Sequence, residues 1–102
     1  MTALDHLHAA ASRLWESETT HDGTMARHAL DRAVRALDEA AAGLSGGLRD
    51  RAVDLSDRCA EAAGSIGYPY ADGLYEEVMA LWEACGGVRN APVRITLFDE
   101  AA

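Results

Sequence analysis

The sequence predicts an all-α fold: a small antiparallel four-helix bundle followed by a short C-terminal β-strand or extended tail. Three observations lead there. Four segments carry apolar residues three and four positions apart, the spacing of one helix face. Glycine, proline and aspartate punctuate the joints between them. Most of those joints are short, which favours antiparallel neighbours. The chain has 102 residues, 49% of them hydrophobic, enough for one domain with a modest core.

The first helix is expected over about Ala3–Glu18, with Leu4, Leu7, Ala11 and Leu14 on one face. Thr2 followed by Asp5 has the spacing of a capping box. A loop, Thr19–Thr24, ends it. The second helix, about Met25–Leu44, carries the seam Leu30, Val34, Leu37, Ala41 and Leu44. Gly43, Gly46 and Gly47 then read as a C-cap and turn. The third helix, about Leu48–Ala63, repeats the pattern with Leu48, Ala52, Leu55, Cys59 and Ala62. After the stretch Gly64–Gly73, in which Asp72 reads as an N-cap, the fourth helix is expected over about Leu74–Cys85. Its seam is Leu74, Val78, Leu81 and Cys85, and Gly86-Gly87 closes it.

The remainder follows a different period. Val93, Ile95 and Leu97 alternate with Arg94, Thr96 and Phe98, a strand pattern. Residues 1–91 are therefore expected to form the bundle domain and 92–102 a tail. A lone strand cannot satisfy its own backbone donors and acceptors. It needs a loop of the same chain, a second copy, another protein's sheet edge, or water along the bundle surface. Val93, Ile95 and Leu97 are the candidate dimerisation residues if a second copy supplies the pairing.

Composition limits the function. Seventeen acidic residues against nine basic ones give a net charge of −8. Nonspecific nucleic-acid binding draws its affinity from basic residues on phosphates, so direct nucleic-acid binding is not expected. Docking on an anionic membrane is disfavoured for the same reason. No run approaches the roughly 18 apolar residues of a membrane span. All nine basic residues are arginine, and alanine occurs 21 times, which reads first as codon bias. Two widely spaced cysteines do not make a secreted disulfide framework, and the first residues lack the pattern of a signal peptide. The expected setting is cytoplasmic, with both thiols reduced.

No catalytic constellation emerges, and the chain is read as a non-enzyme without a cofactor. The glycine-rich joint at Gly43–Gly47 lacks the Lys-Ser/Thr ending of a phosphate loop and joins helix to helix. Glu18 and His21 have the Glu-x-x-His spacing of di-iron bundles, but straddle a helix end and occur once. His6 and His8 point about 200° apart on a helix. No metal site is assigned, although a ligand- or metal-binding bundle using His8, His21 or His28 remains an alternative.

The fourth helix is the unusual one. Between Arg58 and Arg89 no basic residue occurs, while Glu61, Asp72, Glu76, Glu77 and Glu83 fall inside that interval. Elsewhere the charges interleave: Asp54 stands four residues before Arg58, a favourable pair, and the second helix alternates arginine with acids. An acidic surface left unneutralised would attract a basic partner, or stand in for nucleic-acid phosphate in a protein's binding groove. The helix also carries a second apolar row, Tyr75, Met79 and Trp82, widening its apolar arc to about 160°. That row predicts a helix buried on two sides with Trp15 packed nearby. Aromatic residues and Met are equally the composition of interface cores.

The candidate partner-binding residues are thus Asp72, Tyr75, Glu76, Glu77, Met79, Trp82 and Glu83. The expected function is a small acidic protein-binding module, an inhibitor, antagonist or immunity-type blocker whose partner has a basic surface. A homodimeric structural or accessory subunit joined through the C-terminal strand is the alternative of a different class.

Overall fold

The computed structural model describes residues 1–65, 69, 71 and 73–89. Among them are four helices: α1 (Ala3–Thr19), α2 (Gly23–Ala42), α3 (Gly46–Ala63) and α4 (Leu74–Ala84). Asp72 and the Val93, Ile95, Leu97 pattern lie outside the described residues, as does the expected boundary between 91 and 92. No described helix is long and apolar enough to cross a membrane.

The starts of α1 and α2 each have a side-chain cap. Thr2 and Asp5 form the capping box: the Thr2 hydroxyl accepts from the Asp5 N–H, and the Asp5 carboxylate accepts from the Thr2 N–H at 3.0 Å. The Thr2 N–H and the Thr2 hydroxyl both donate to that carboxylate and hold the Asp5 carboxyl below its ordinary range. α2 begins two residues earlier than its spacing predicts. The Asp22 carboxylate accepts from the N–H groups of Thr24 and Met25, so Gly23 and Thr24 are drawn into the helix. At α4 the cap position is Gly73, which makes no side-chain cap bond.

The helices pack in a ring, α1 on α2, α2 on α3, α3 on α4 and α4 on α1. Contacts across each joint set the directions. A Cβ on Gly43, at the end of α2, would lie 3.3 Å from that of Ala3, at the start of α1. The Arg27 guanidinium, in the first turns of α2, donates to the carbonyls of Ala63 and Ser65 at 2.6 and 2.8 Å, at the end of α3. There it satisfies acceptors that the helix leaves open and meets the negative end of its dipole. His8 meets Trp82 and Trp15 meets Tyr75, so α1 and α4 also run antiparallel.

The core is leucine set among alanine. Leu7, Leu14, Leu30, Leu37 and Leu81 are fully buried, as are Val78, Pro69 and Cys59, and Ala10, Ala26, Ala33, Ala40 and Ala52 fill the gaps between backbones. A fully buried aliphatic side chain contributes roughly 1.5–3 kcal/mol over an exposed one. Predicted seam residues Leu4, Leu44 and Leu48, at or beside helix ends, and Val34, within α2, are only half-buried. Two serines enter the interior with partners: Ser17 donates to the Leu14 carbonyl, and Ser56 donates to Asp38 at 2.6 Å, tying α3 to α2.

Candidate functional site

Alanine in the core brings the helices close and leaves the large aromatic side chains at the rim. On the α1/α4 side they form two cross-helix pairs. The rings of Trp15 and Tyr75 lie 5.4 Å apart at 54°, and those of His8 and Trp82 5.7 Å apart at 51°. These are tilted arrangements that aromatic quadrupoles favour. Between the helices runs a groove of about 290 Å³ lined by His8, Ala11, Ser12, Trp15, Tyr75 and Met79. Its floor is Met79, and Trp15 stands above it with 55% of its surface exposed.

The second apolar row of α4 therefore divides. Met79 is buried as the two-sided reading requires, whereas Tyr75 and Trp82 are half-buried and reach α1 from the rim. The physical reason is the ring order: α4 touches α1 and α3 only, so one flank of the row faces the α1/α4 seam.

Trp82 is fixed from a second side. The end of α4 is a Schellman turn in which the Gly87 N–H donates to the Trp82 carbonyl at 2.9 Å and the Gly86 N–H to Glu83 at 3.0 Å. Gly86 takes φ +111°, a conformation suited to glycine. The turn lays Gly87 against the indole, where a Cβ would overlap the ring.

The acidic face differs from its expectation. Arg58 and Arg89, the two arginines that bound the acidic interval, both fold back onto α4. Arg58 donates two hydrogen bonds to Glu77, at 2.8 and 2.6 Å. That bidentate pair holds the Glu77 carboxyl below its ordinary range and the guanidinium above its own. Arg89 places Nε 2.8 Å from Glu83, an ion pair without an aligned hydrogen bond, and Nη1 3.3 Å from Glu76. Every acidic residue of α4 thus has an arginine beside it, but three carboxylates share two guanidiniums, so the face is only partly neutralised.

The thiols and histidines stay apart. Cys59 is buried in the core, where desolvation pushes its thiol up to about 12, and Cys85 is half-buried at the α4 C-cap; neither forms a disulfide. Among the described residues no three His, Cys, Asp or Glu side chains gather as metal ligands. His21 and His28 are exposed and away from the groove, while His8 is part of it.

Of the candidate partner-binding residues, the fold gathers Tyr75, Met79 and Trp82 on the groove side and turns Glu76, Glu77 and Glu83 outward beside it. His8, Ser12 and Trp15 of α1 complete the site. The clue to Trp15 was its unusual size on a helix with an otherwise small apolar face. Compared with known proteins, the chain matches no family model, no curated protein and no solved structure.

Proposed function

We propose that the chain is a small, non-enzymatic protein-binding module that holds its partner in the α1/α4 groove and blocks the partner's surface, as an inhibitor or immunity-type antagonist does. The observation that carries this reading is the pairing of Trp15 with Tyr75 and His8 with Trp82 over a Met79 floor. Trp and Tyr are the residues that dominate interface energetics, and they work from desolvated positions at the centre of a contact. Here both tryptophans stand at one seam while leucine and alanine fill the core.

The arginine pairing shapes the partner. With Glu76, Glu77 and Glu83 each held by Arg58 or Arg89, the anchor is apolar and aromatic, and charge acts at longer range. The net charge of −8 still favours a basic rim on the partner and speeds encounter. Mimicry of nucleic-acid phosphate requires those carboxylates to exchange their own arginines for the partner's, so it is the less favoured form of the reading.

The test is comparative capture by the intact chain, by Trp15→Ala and by Val53→Ser, the last altering an exposed apolar residue of α3. A partner kept by the intact chain and Val53→Ser and lost by Trp15→Ala supports the groove. One kept equally by all three overturns it.

A further inference from the structure

We propose that the side chain this groove takes from a partner protein is an arginine, its guanidinium lying on the exposed surface of Trp15 between two acidic rims. The inference rests on the groove reading above and names the chemistry of the partner's contact. Two observations carry it.

The first is the lining. His8, Trp15 and Tyr75 are aromatic, and Ala11 and Met79 are apolar. An aromatic ring presents a negative face, and the indole of Trp is the strongest such partner for a cation. Trp15 is more exposed than buried, and Tyr75 stands 5.4 Å from it at 54°, so two inclined rings meet at one groove. Ser12 adds an acceptor. Its hydroxyl donates to the His8 carbonyl at 3.1 Å, which leaves its lone pairs for an incoming donor.

The second is the rim. On α1, Glu16 stands about 100° around the helix from Trp15, and Asp5 about 80° in the same sense. On α4, Glu76 and Glu83 stand about 100° and 80° from Tyr75. Leu14 and Leu74 lie about 100° the other way and are buried, so the carboxylates take the solvent side of both rings. The groove is therefore bordered by acids along each helix. Arg13 reaches Glu16 at 3.0 Å, while Arg89 reaches Glu83 at 2.8 Å and Glu76 only at 3.3 Å. Two guanidiniums beside four carboxylates leave the rim negative, and Glu76 is the more loosely held of the Arg89 pair.

Ring faces, lone pairs and rim all favour a cationic donor. Arginine suits the place better than lysine, because its flat guanidinium stacks on aromatic rings and is more weakly hydrated. Its methylene stem lies well on Ala11 and Met79. An aliphatic side chain would fill the floor and gain nothing from the rim, and an acidic one would be repelled.

The experiment titrates the intact chain with three blocked tripeptides: Gly-Arg-Gly, the same peptide with citrulline, and the same with leucine. Citrulline keeps the shape of arginine without its charge. NMR reads the indole N–H resonances of Trp15 and Trp82. The arginine peptide should move the Trp15 resonance saturably, and citrulline should bind on the order of threefold more weakly, the size of a cation–π contact at an exposed site. Glu76→Gln should weaken the arginine peptide and leave the citrulline peptide unchanged. Equal affinity for arginine and citrulline, tightest binding of leucine, or a Trp15 resonance that no peptide moves overturns the proposal. Capture with Trp15→Ala separates it from the groove reading. No arginine preference, with a partner lost by Trp15→Ala, overturns the arginine and keeps the groove. An arginine preference, with a partner held equally by Trp15→Ala, keeps the cation preference and overturns the groove as the partner's seat.

Discussion

Gly87 and Trp82 form a single structural unit: the glycine's backbone N–H closes the end of α4 on the tryptophan's carbonyl while its bare Cα lies against the same residue's indole. The close approach follows from the Schellman geometry, which folds the residue after the αL glycine back over the last turn. Replacing Gly87 by Ala forces the indole off its seat. We expect a loss of about 1–3 kcal/mol, the usual cost of overpacking, and a disturbed His8–Trp82 pair. Gly47→Ala, which meets open space near the start of α3, is the control and should be neutral or slightly stabilising. Thermal melts and the near-ultraviolet signal of tryptophan measure both.

Leu14 and Trp15 are chain neighbours with opposite roles. Leu14 is fully buried, so Leu14→Ala should cost about 2–5 kcal/mol, a large part of the stability of a small domain. Trp15 is more exposed than buried, so Trp15→Ala should leave the melting temperature much closer to that of the intact chain. Equal losses at the two positions would place Trp15 in the core and remove it as an anchor.

Burial of Cys59 sets an alkaline limit. Its thiol ionises near 9 in an ordinary setting and is pushed up to about 12 in the folded chain. Below pH 9 the thiol is protonated in both states and costs nothing. Between about 9 and 12 only the unfolded state releases the proton, so stability falls as pH rises through that window. Denaturation curves from pH 8 to 11 should show this slope, flattened in Cys59→Ala. Alkylation at pH 8 should modify Cys85 first and reach Cys59 only through unfolding.

The Arg58–Glu77 pair acts at the acid end. The Glu77 carboxyl is held below its ordinary value, so the pair's contribution is present above that value and disappears as pH falls through the folded one. Both partners are substantially exposed, so the contribution is small and sensitive to salt. Glu77→Gln should melt slightly lower at pH 7 in dilute buffer. The difference should vanish in strong acid or at high salt.

Periodicity, punctuation and short joints made the bundle legible, because Leu7 and Leu14 in α1, Leu30 and Leu37 in α2, and Leu55 and Cys59 in α3 recur at helical spacing and share an interior. Asp22 hid the start of α2: glycine and threonine are poor helix residues, and only the carboxylate bonds to Thr24 and Met25 reverse that preference. The aromatic row of α4 was visible as a row, but its division into a buried Met79 and rim-standing Tyr75 and Trp82 depends on which helices stand beside it. The arginine pairing of the acidic face was hidden for a related reason. Arg58 and Glu77 are 19 residues apart and meet only because α3 and α4 pack, and Arg89 reaches Glu76 only because the chain reverses at Gly86.

Hydroxyl-radical footprinting of the chain alone and in complex with its captured partner tests the central claim most directly, because it reads side chains one by one. The account predicts that the partner lowers oxidation of Trp15 and Tyr75, while Met25, equally exposed on α2, is unchanged. Protection of Met25 with Trp15 left as reactive as before would contradict it.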